Sequence, residues 1–198
     1  MSQSVAAATI DRREFVARLI AACPQALVIT GLGSSTYDVF AAGDRPENFY
    51  LWGAMGGAAV IGLGLALAQP EQSVLVVTGD GEQLMGLGAL ATVGAQKPAN
   101  LTIVVLDNGH FAETGMQRSH SSLGTSLSAV ARGCGIGNVT EIHESGEVKS
   151  LAESVNSRKG CTLAQVYIRA DELPRALPSR DGVYIKNRFR AALGFEPF

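Results

Sequence analysis

Four short apolar runs constrain this chain more than anything else in it. They open ALVITGLGSST (26–36) and SVLVVTGDG (73–81), and they fill LTIVVLDNG (101–109) and CTLAQVYIRA (161–170). Each is rich in β-branched residues and lacks the alternation of a strand with one wet face, so each reads as a strand covered on both sides. Between them lie stretches that read as helices: residues 53–68, EQLMGLGALATVGAQ (82–96) ended by KPAN, SLSAVARGCGI (126–136) and residues 147–158. Alternating buried strands and helices dictate an α/β fold, a mostly parallel sheet with helices on both faces. At 198 residues the chain is expected to be a single domain, 1–198, with flexible ends over residues 1–10 and after 171 and an irregular loop at 110–125. No internal repeat or low-complexity tract interrupts it.

One stretch tests the globular reading. FYLWGAMGGAAVIGLGLALA (49–68) is 20 residues without a charge, long enough to span a bilayer, and Gly53 and Gly57 form a GxxxG pair. Five glycines in it, no flanking Lys or Arg cluster and the buried strand that follows favour a close-packed interior helix instead. The charge balance, 16 Lys and Arg against 18 Asp and Glu, gives −2 and leaves no nucleic-acid footprint or polybasic membrane patch. Cys23, Cys134 and Cys161 are odd in number and widely spaced, neither a disulfide framework nor a zinc pattern, so a reduced, cytoplasmic setting is expected.

The chemistry concentrates at strand ends. Asp80 stands between Gly79 and Gly81 just past one predicted strand, and Asn108 stands 28 residues on, just past the next. If those strands are neighbours, their ends lie ~5 Å apart. A carboxylate, an amide oxygen and a backbone carbonyl then form a hard-oxygen set suited to Mg²⁺ or Ca²⁺. Mg²⁺ takes few protein ligands and completes its shell with water and phosphate oxygens. Gly79 and Gly81 let backbone N–H groups approach such a phosphate, and a helix starting near Glu82 points its positive end at it. The pattern predicts a metal-bridged diphosphate at the carboxyl edge of the sheet.

These residues carry a resemblance. Gly79-Asp80-Gly81, then about thirty residues, then an Asn in VVLDNGHF resembles the signature of thiamine-diphosphate enzymes, specifically their diphosphate-binding (PP) domain. With TGLGSSTYDVFAAGDRPENFYLWGAMGGAAVIGLGLALAQP the likeness covers roughly residues 11–190 and is closest to phosphonopyruvate and sulfopyruvate decarboxylases. It implies Mg²⁺ ligands at Asp80, the side chain of Asn108 and the carbonyl of His110. It implies diphosphate contacts at Gly81 and Glu82, with hydroxyls from Ser34 and Ser35. Gly53 is implied to meet the aminopyrimidine amino group, and Met55 to lie beneath the cofactor. Many family members carry Ser or Ala where this chain has Glu82. Such enzymes also need a pyrimidine (PYR) domain that supplies a glutamate to the aminopyrimidine, and the chain is too short to hold both. The resemblance therefore implies the β subunit of a split decarboxylase, completed by a PYR-domain α subunit and acting on a small 2-oxo acid.

Plainer readings stand beside these. Met55 also suits core packing, and Ser34 and Ser35 a helix N-cap. His110 and His120 are candidate proton shuttles or exposed loop histidines. Arg118 faces an acidic substrate or solvent, and VYIKNRFRAAL is a solvated or subunit-facing segment. Two other function classes stay open. TGLGSST resembles the turn of a nicotinamide (NAD) oxidoreductase, although it lacks the third Gly, and Asp44 and Glu47 come too early for the ribose acid. A non-catalytic binding or assembly subunit retaining the PP fold is the other. The uncharged 49–68 run predicts a chain that self-associates.

Overall fold

The computed structural model describes residues 8–196. Six strands form one sheet: β1 (Leu27–Thr30), β2 (Asn48–Tyr50), β3 (Val74–Gly79), β4 (Leu101–Asp107), β7 (Asn138–Ile142) and β8 (Thr162–Tyr167), while β5 (His110–Phe111) and β6 (Gln117–Arg118) pair separately. The order is β2-β1-β3-β4-β8-β7, and every pair within this sheet is parallel. The α/β class and both-faces coverage are as the runs predict. Along β3, Val74 and Val76 pack on one face and Leu75 and Val77 on the other. In β4, Leu101, Ile103 and Val105 likewise oppose Val104 and Leu106. A period of two with both sets apolar demands two covering layers.

The layers are α1 (Arg12–Ala22), α2 (Ser34–Ala41) and α7 (Val148–Ser157) on one side, and α3 (Ala58–Ala68), α5 (Ala89–Gln96) and α6 (Leu127–Gly133) on the other. A short α4 (Asp80–Met85) precedes α5, and α8 (Gly182–Ala192) closes the β2 edge. In α1 the apolar stripe Phe15, Val16, Leu19, Ile20 points at the sheet, and the side chain of Asp11 caps the helix by accepting the N–H of Glu14 at 2.9 Å.

Several expectations are corrected. The uncharged 49–68 run is not one helix: it ends β2, turns through residues 51–57 and begins α3 only at Ala58, because Ala54 (φ 55°) and Gly56 (φ 90°) are left-handed. Among the described residues no helix is long and apolar enough to cross a membrane. The 82–96 helix starts two residues early at Asp80 and breaks across Gly86–Gly88 into α4 and α5. The tail after 171 is not simply flexible: α8 buries Ile185 and Phe189, the latter edge-on to Phe49 at 5.5 Å. At the other end, residues 1–7 lie outside the described residues, while Ile10 is fully buried and bridges to Ile168. The 110–125 loop holds the β5–β6 hairpin.

Candidate functional site

From β1 the chain moves outward to β2; from β3 it moves the other way to β4. The reversal opens a crevice beyond the carboxyl ends of β1 and β3, the place where open α/β sheets bind ligands. A cavity of about 180 Å³ lies there. Ser34, Ser35, Met55, Gly79, Asp80, Gly81, Glu82, Asn108 and His110 line it, so most of the residues singled out from the sequence converge. Gly53 and His120 do not. Gly53 is in the exposed turn before α3, and the exposed His120 ring stands edge-on to Phe111 at 6.1 Å. Sequence reasoning missed Arg12, Leu32, Phe111 and Glu113, which complete the walls.

Asp80 is the first residue of α4, aimed inward because Gly79 before it is extended. Its carboxylate is nearly fully buried, and Oδ2 accepts the Ser119 hydroxyl and that of Ser121 at 3.1 Å. Beside it Asp107, also buried, accepts from Gln165 Nε2 at 2.7 Å and the Gly109 N–H at 2.9 Å. Ser121 Oγ is also 2.8 Å from Asp107 Oδ1. One hydroxyl carries one proton and cannot serve both carboxylates at once. Burial, followed by repulsion from Asp107, pushes the Asp80 carboxyl up to about 6. Two buried carboxylates that repel each other are what a divalent cation relieves.

The Asn108 side-chain oxygen accepts the His110 N–H at 2.9 Å, which keeps one lone pair for another partner, and His110 Nδ1 lies 2.7 Å from the Asn108 carbonyl. Among the described residues no group of three or more His, Cys, Asp or Glu could hold a metal. The donors here are instead one carboxylate, an amide and backbone carbonyls, the oxygen chemistry that fits Mg²⁺ with water and phosphate completing its shell.

Glu82 reaches across the crevice toward the turn after β1. Its Oε2 accepts the Leu32 N–H at 3.1 Å, bridging the crevice between β3 and the turn after β1. Burial raises its pKa, and the Thr78 hydroxyl, followed by backbone N–H groups of Gly56, Ala58 and Leu32, opposes that rise. Its Oε1 is buried without a hydrogen-bond partner among the described residues, and α3 begins without a side-chain cap. Gly31 leaves the carboxylate room: a Cβ there would sit 1.7 Å from Glu82 Oε2.

The turn carrying Met55 is held against α4. A Cβ at Gly86 would stand 2.1 Å from the Gly56 carbonyl oxygen, and one at Gly56 2.8 Å from the Gly86 nitrogen. Gly57 N–H closes the turn onto Ala54 O at 2.8 Å. Met55 is 39% exposed, a rim residue rather than core. Gly81 is small for a reason the sequence did not reveal: a Cβ there would meet the Phe111 ring at 2.6 Å.

Residues 31–166 match the family of thiamine pyrophosphate enzymes at their C-terminal, cofactor-binding domain. The chain is 40% identical over 186 residues to a phosphonopyruvate decarboxylase of Streptomyces viridochromogenes, an alignment that covers 91% of this chain and 45% of that one. It is 37% identical over 133 residues to the sulfopyruvate decarboxylase subunit beta of Methanocaldococcus jannaschii, covering 67% of this chain and 70% of that one. It therefore spans less than half of the first relative and about two thirds of the second. A thiamine diphosphate-dependent 4-hydroxybenzoylformate decarboxylase of Rhodococcus jostii RHA1 shares the fold, with TM-score 0.69 at 20% identity over 87% of this chain and 35% of that one.

Proposed function

We propose a function from the premise that the chain belongs to the thiamine pyrophosphate enzymes, through their C-terminal cofactor-binding domain. It is the cofactor-holding β subunit of a split thiamine-diphosphate-dependent 2-oxo acid decarboxylase, with sulfopyruvate or phosphonopyruvate as the substrate class. The observation that carries this is the cavity itself: the buried Asp80 carboxylate and Asn108 line it together with Met55. Asp80, the Asn108 amide oxygen and the His110 carbonyl would hold Mg²⁺, and the α2 end at Ser34 and Ser35 would meet the diphosphate. When bound, thiamine diphosphate supplies the electron sink for loss of carbon dioxide.

This chain's own residues bind and orient. Ser119 and Ser121 fix the Asp80 carboxylate by donating to it, and Gln165 and the Gly109 N–H hold Asp107 beside it. Met55 fixes the ring end of the site, a positional role whose value is geometric. His110, tied to the Asn108 carbonyl, is the cavity histidine placed to hold a proton near the substrate, with His120 farther out beyond Phe111. The reading of a nicotinamide enzyme loses its ribose acid: Asp44 is engaged by the Tyr50 hydroxyl at 2.9 Å and by Arg188 at 2.7 Å.

The site is a half. A cavity of about 180 Å³ is below the ~300–1,000 Å³ that encloses a ligand of cofactor size. Met55, Val60, Ile61, Leu67 and Met85 present exposed apolar surface on the turn, α3 and α4. A PYR-domain α subunit covering this surface would close the site and bring the missing glutamate. Until then the chain self-associates through the same face. Three free thiols suit a reducing cytoplasm. The test is reconstitution followed by loss of a 2-oxo acid. The chain alone should be inactive, and adding a PYR-domain partner should restore turnover. Substituting the partner's glutamate should remove turnover without preventing assembly. Robust decarboxylation by this chain alone would refute the split-enzyme reading, and a purely structural subunit would leave the reconstituted complex inactive.

A further inference from the structure

The cavity wall holds a guanidinium that no expectation from the sequence included. Arg12, at the first turn of α1, is 6% exposed and is the single Lys or Arg among the lining residues. Its Nη1 donates to Asp38 Oδ2 and reaches the Ser34 carbonyl at 3.3 Å. Arg13 donates to the other oxygen of the same carboxylate at 3.0 Å. Asp38 is fully buried, and its one negative charge is shared by two guanidinium groups. The cluster carries a surplus of +1 beside the start of α2.

The remaining charged side chains on the cavity wall are the carboxylates Asp80, Glu82 and Glu113. Glu113 is paired to Arg175 at 3.1 Å, and Glu82 accepts the Leu32 N–H through Oε2 while its Oε1 has no partner among the described residues. Of the Arg12 nitrogens Nη1 alone is engaged among the described residues, by Asp38 and Ser34, which leaves N–H donors of the guanidinium for an anion in the cavity. Ser34 and Ser35 bring the amino end of an eight-residue helix to the same wall.

We propose that Arg12 is an anion-anchoring residue that takes the terminal phosphate of the diphosphate, together with the start of α2. This rests on the thiamine-diphosphate reading above. It adds a cofactor contact from a helix outside residues 31–166, the stretch that matches the family. A guanidinium fits a terminal phosphate through paired N–H donors.

Calorimetry on the full chain with Mg²⁺ tests it, using thiamine diphosphate, thiamine monophosphate and inorganic pyrophosphate. Arg12→Met leaves Asp38 paired with Arg13, so no buried charge is orphaned. It should weaken thiamine diphosphate and pyrophosphate by ~10–100-fold, the worth of a hydrogen bond to a charged group. The preference for diphosphate over monophosphate should shrink with it. Arg12→Lys, which keeps a cation for Asp38, should lose the paired donors and fall between the two. Arg13→Met, which removes a charge but no donor on the cavity wall, should weaken both ligands less than Arg12→Met does. Wild-type affinity for both diphosphate ligands in Arg12→Met and Arg12→Lys would overturn the proposal while the cofactor reading stood. A raised KM for the 2-oxo acid in the reconstituted complex, with cofactor affinity unchanged, would do the same and place Arg12 on the substrate. A wild-type chain that binds neither ligand would overturn the cofactor reading and this proposal together.

Discussion

Gly86→Ala probes how the two ends of the site are held in register. Gly86 has φ −98° and ψ 30°, a conformation that alanine adopts, so the substitution acts through contact rather than backbone strain. The new Cβ would lie 2.1 Å from the Gly56 carbonyl oxygen and 2.9 Å from the Gly56 Cα. Both neighbours are backbone, so α4 and the turn must part by about 1 Å to restore ordinary carbon contacts. The α4 side is fixed through Asp80 by Ser119 and Ser121, while the turn is largely exposed and contains the left-handed Ala54. The turn yields, and Met55 moves with it. Overpacking costs ~1–3 kcal/mol, offset by ~0.4–1 kcal/mol from the stiffer unfolded chain. A net ~1–2 kcal/mol lowers Tm by about 2–8 °C at this size.

The functional cost should exceed the stability cost. A 1 Å misplacement of a positioning group is worth ~10²-fold in rate. Turnover of the reconstituted enzyme should fall by about that factor, while Mg²⁺-dependent pyrophosphate binding by the chain stays as in the wild type. Gly94→Ala is the control. Its Cβ would lie 1.9 Å from the Cys134 carbonyl oxygen, in the packing of α5 on the end of α6 and away from the cavity. It should lower Tm comparably and keep turnover below its melting range. Equal losses of turnover in the two variants, or a Gly86→Ala enzyme with wild-type turnover, would refute the coupling of α4 to the Met55 turn.

Asp80→Asn should abolish Mg²⁺-dependent thiamine-diphosphate binding in calorimetry, yet raise the Tm of the metal-free chain at neutral pH. The Asp80 pKa is raised above its unfolded value, so the metal-free wild type is favoured at low pH and loses stability as pH rises through about 6; thermal melts of both chains from pH 4 to 8 check this. Met55→Ala should lower turnover far more than it weakens pyrophosphate binding, as steady-state kinetics and calorimetry together would show. Phe189→Ala removes a buried ring packed on Phe49 and should cost ~3–5 kcal/mol, read as a large fall in Tm; a change under 1 °C would mean that α8 does not belong to the core.

What the sequence made legible is what burial writes into local pattern. β3 and β4 are inner strands with both faces covered, so their residues form continuous β-branched runs, and the chemistry at their ends, Asp80 and Asn108, could be placed without coordinates. β2 and β7 lie at the sheet edges. β2 is three residues inside an uncharged run, and β7 (NVTEI) buries Ile142 while Asn138, Thr140 and Glu141 are not buried, so neither looked like a strand. The turn at 53–57 was hidden because small apolar residues suit helix and turn alike, and only a left-handed Ala54 separates them. Ser119 and Ser121 reach Asp80 across 39 and 41 residues, and Arg12 reaches Ser34 across 22. Such contacts follow from how loops return to the sheet, which no periodicity records. Glu82 was identified as a site residue, but its direction, toward the Leu32 N–H, required the fold.

The incomplete cavity also fixes how assembly must respond to cofactor. The exposed apolar side chains Met55, Val60, Ile61, Leu67 and Met85 are between 36 and 66% exposed. Full burial of such side chains is worth ~1.5–3 kcal/mol each, so burying the exposed fraction of all five gives about 4–7 kcal/mol. Association costs an estimated ~4–15 kcal/mol in lost freedom, so this face alone supports a weak complex. On the proposed function, a ligand held by Asp80, Asn108 and Ser34 on this chain and by a glutamate on a partner would belong to both surfaces. Binding and assembly are then linked, and each must tighten the other by the same factor. Adding thiamine diphosphate with Mg²⁺ should therefore lower the dissociation constant of the two subunits by ~10-fold or more, measured by sedimentation at several cofactor concentrations. Inorganic pyrophosphate, which fills this chain's half and reaches nothing on the partner, should leave it unchanged. An equal gain from both ligands would mean that cofactor acts by ordering this chain rather than by bridging. No gain from either would place the cofactor away from the interface and remove the physical reason for a divided site.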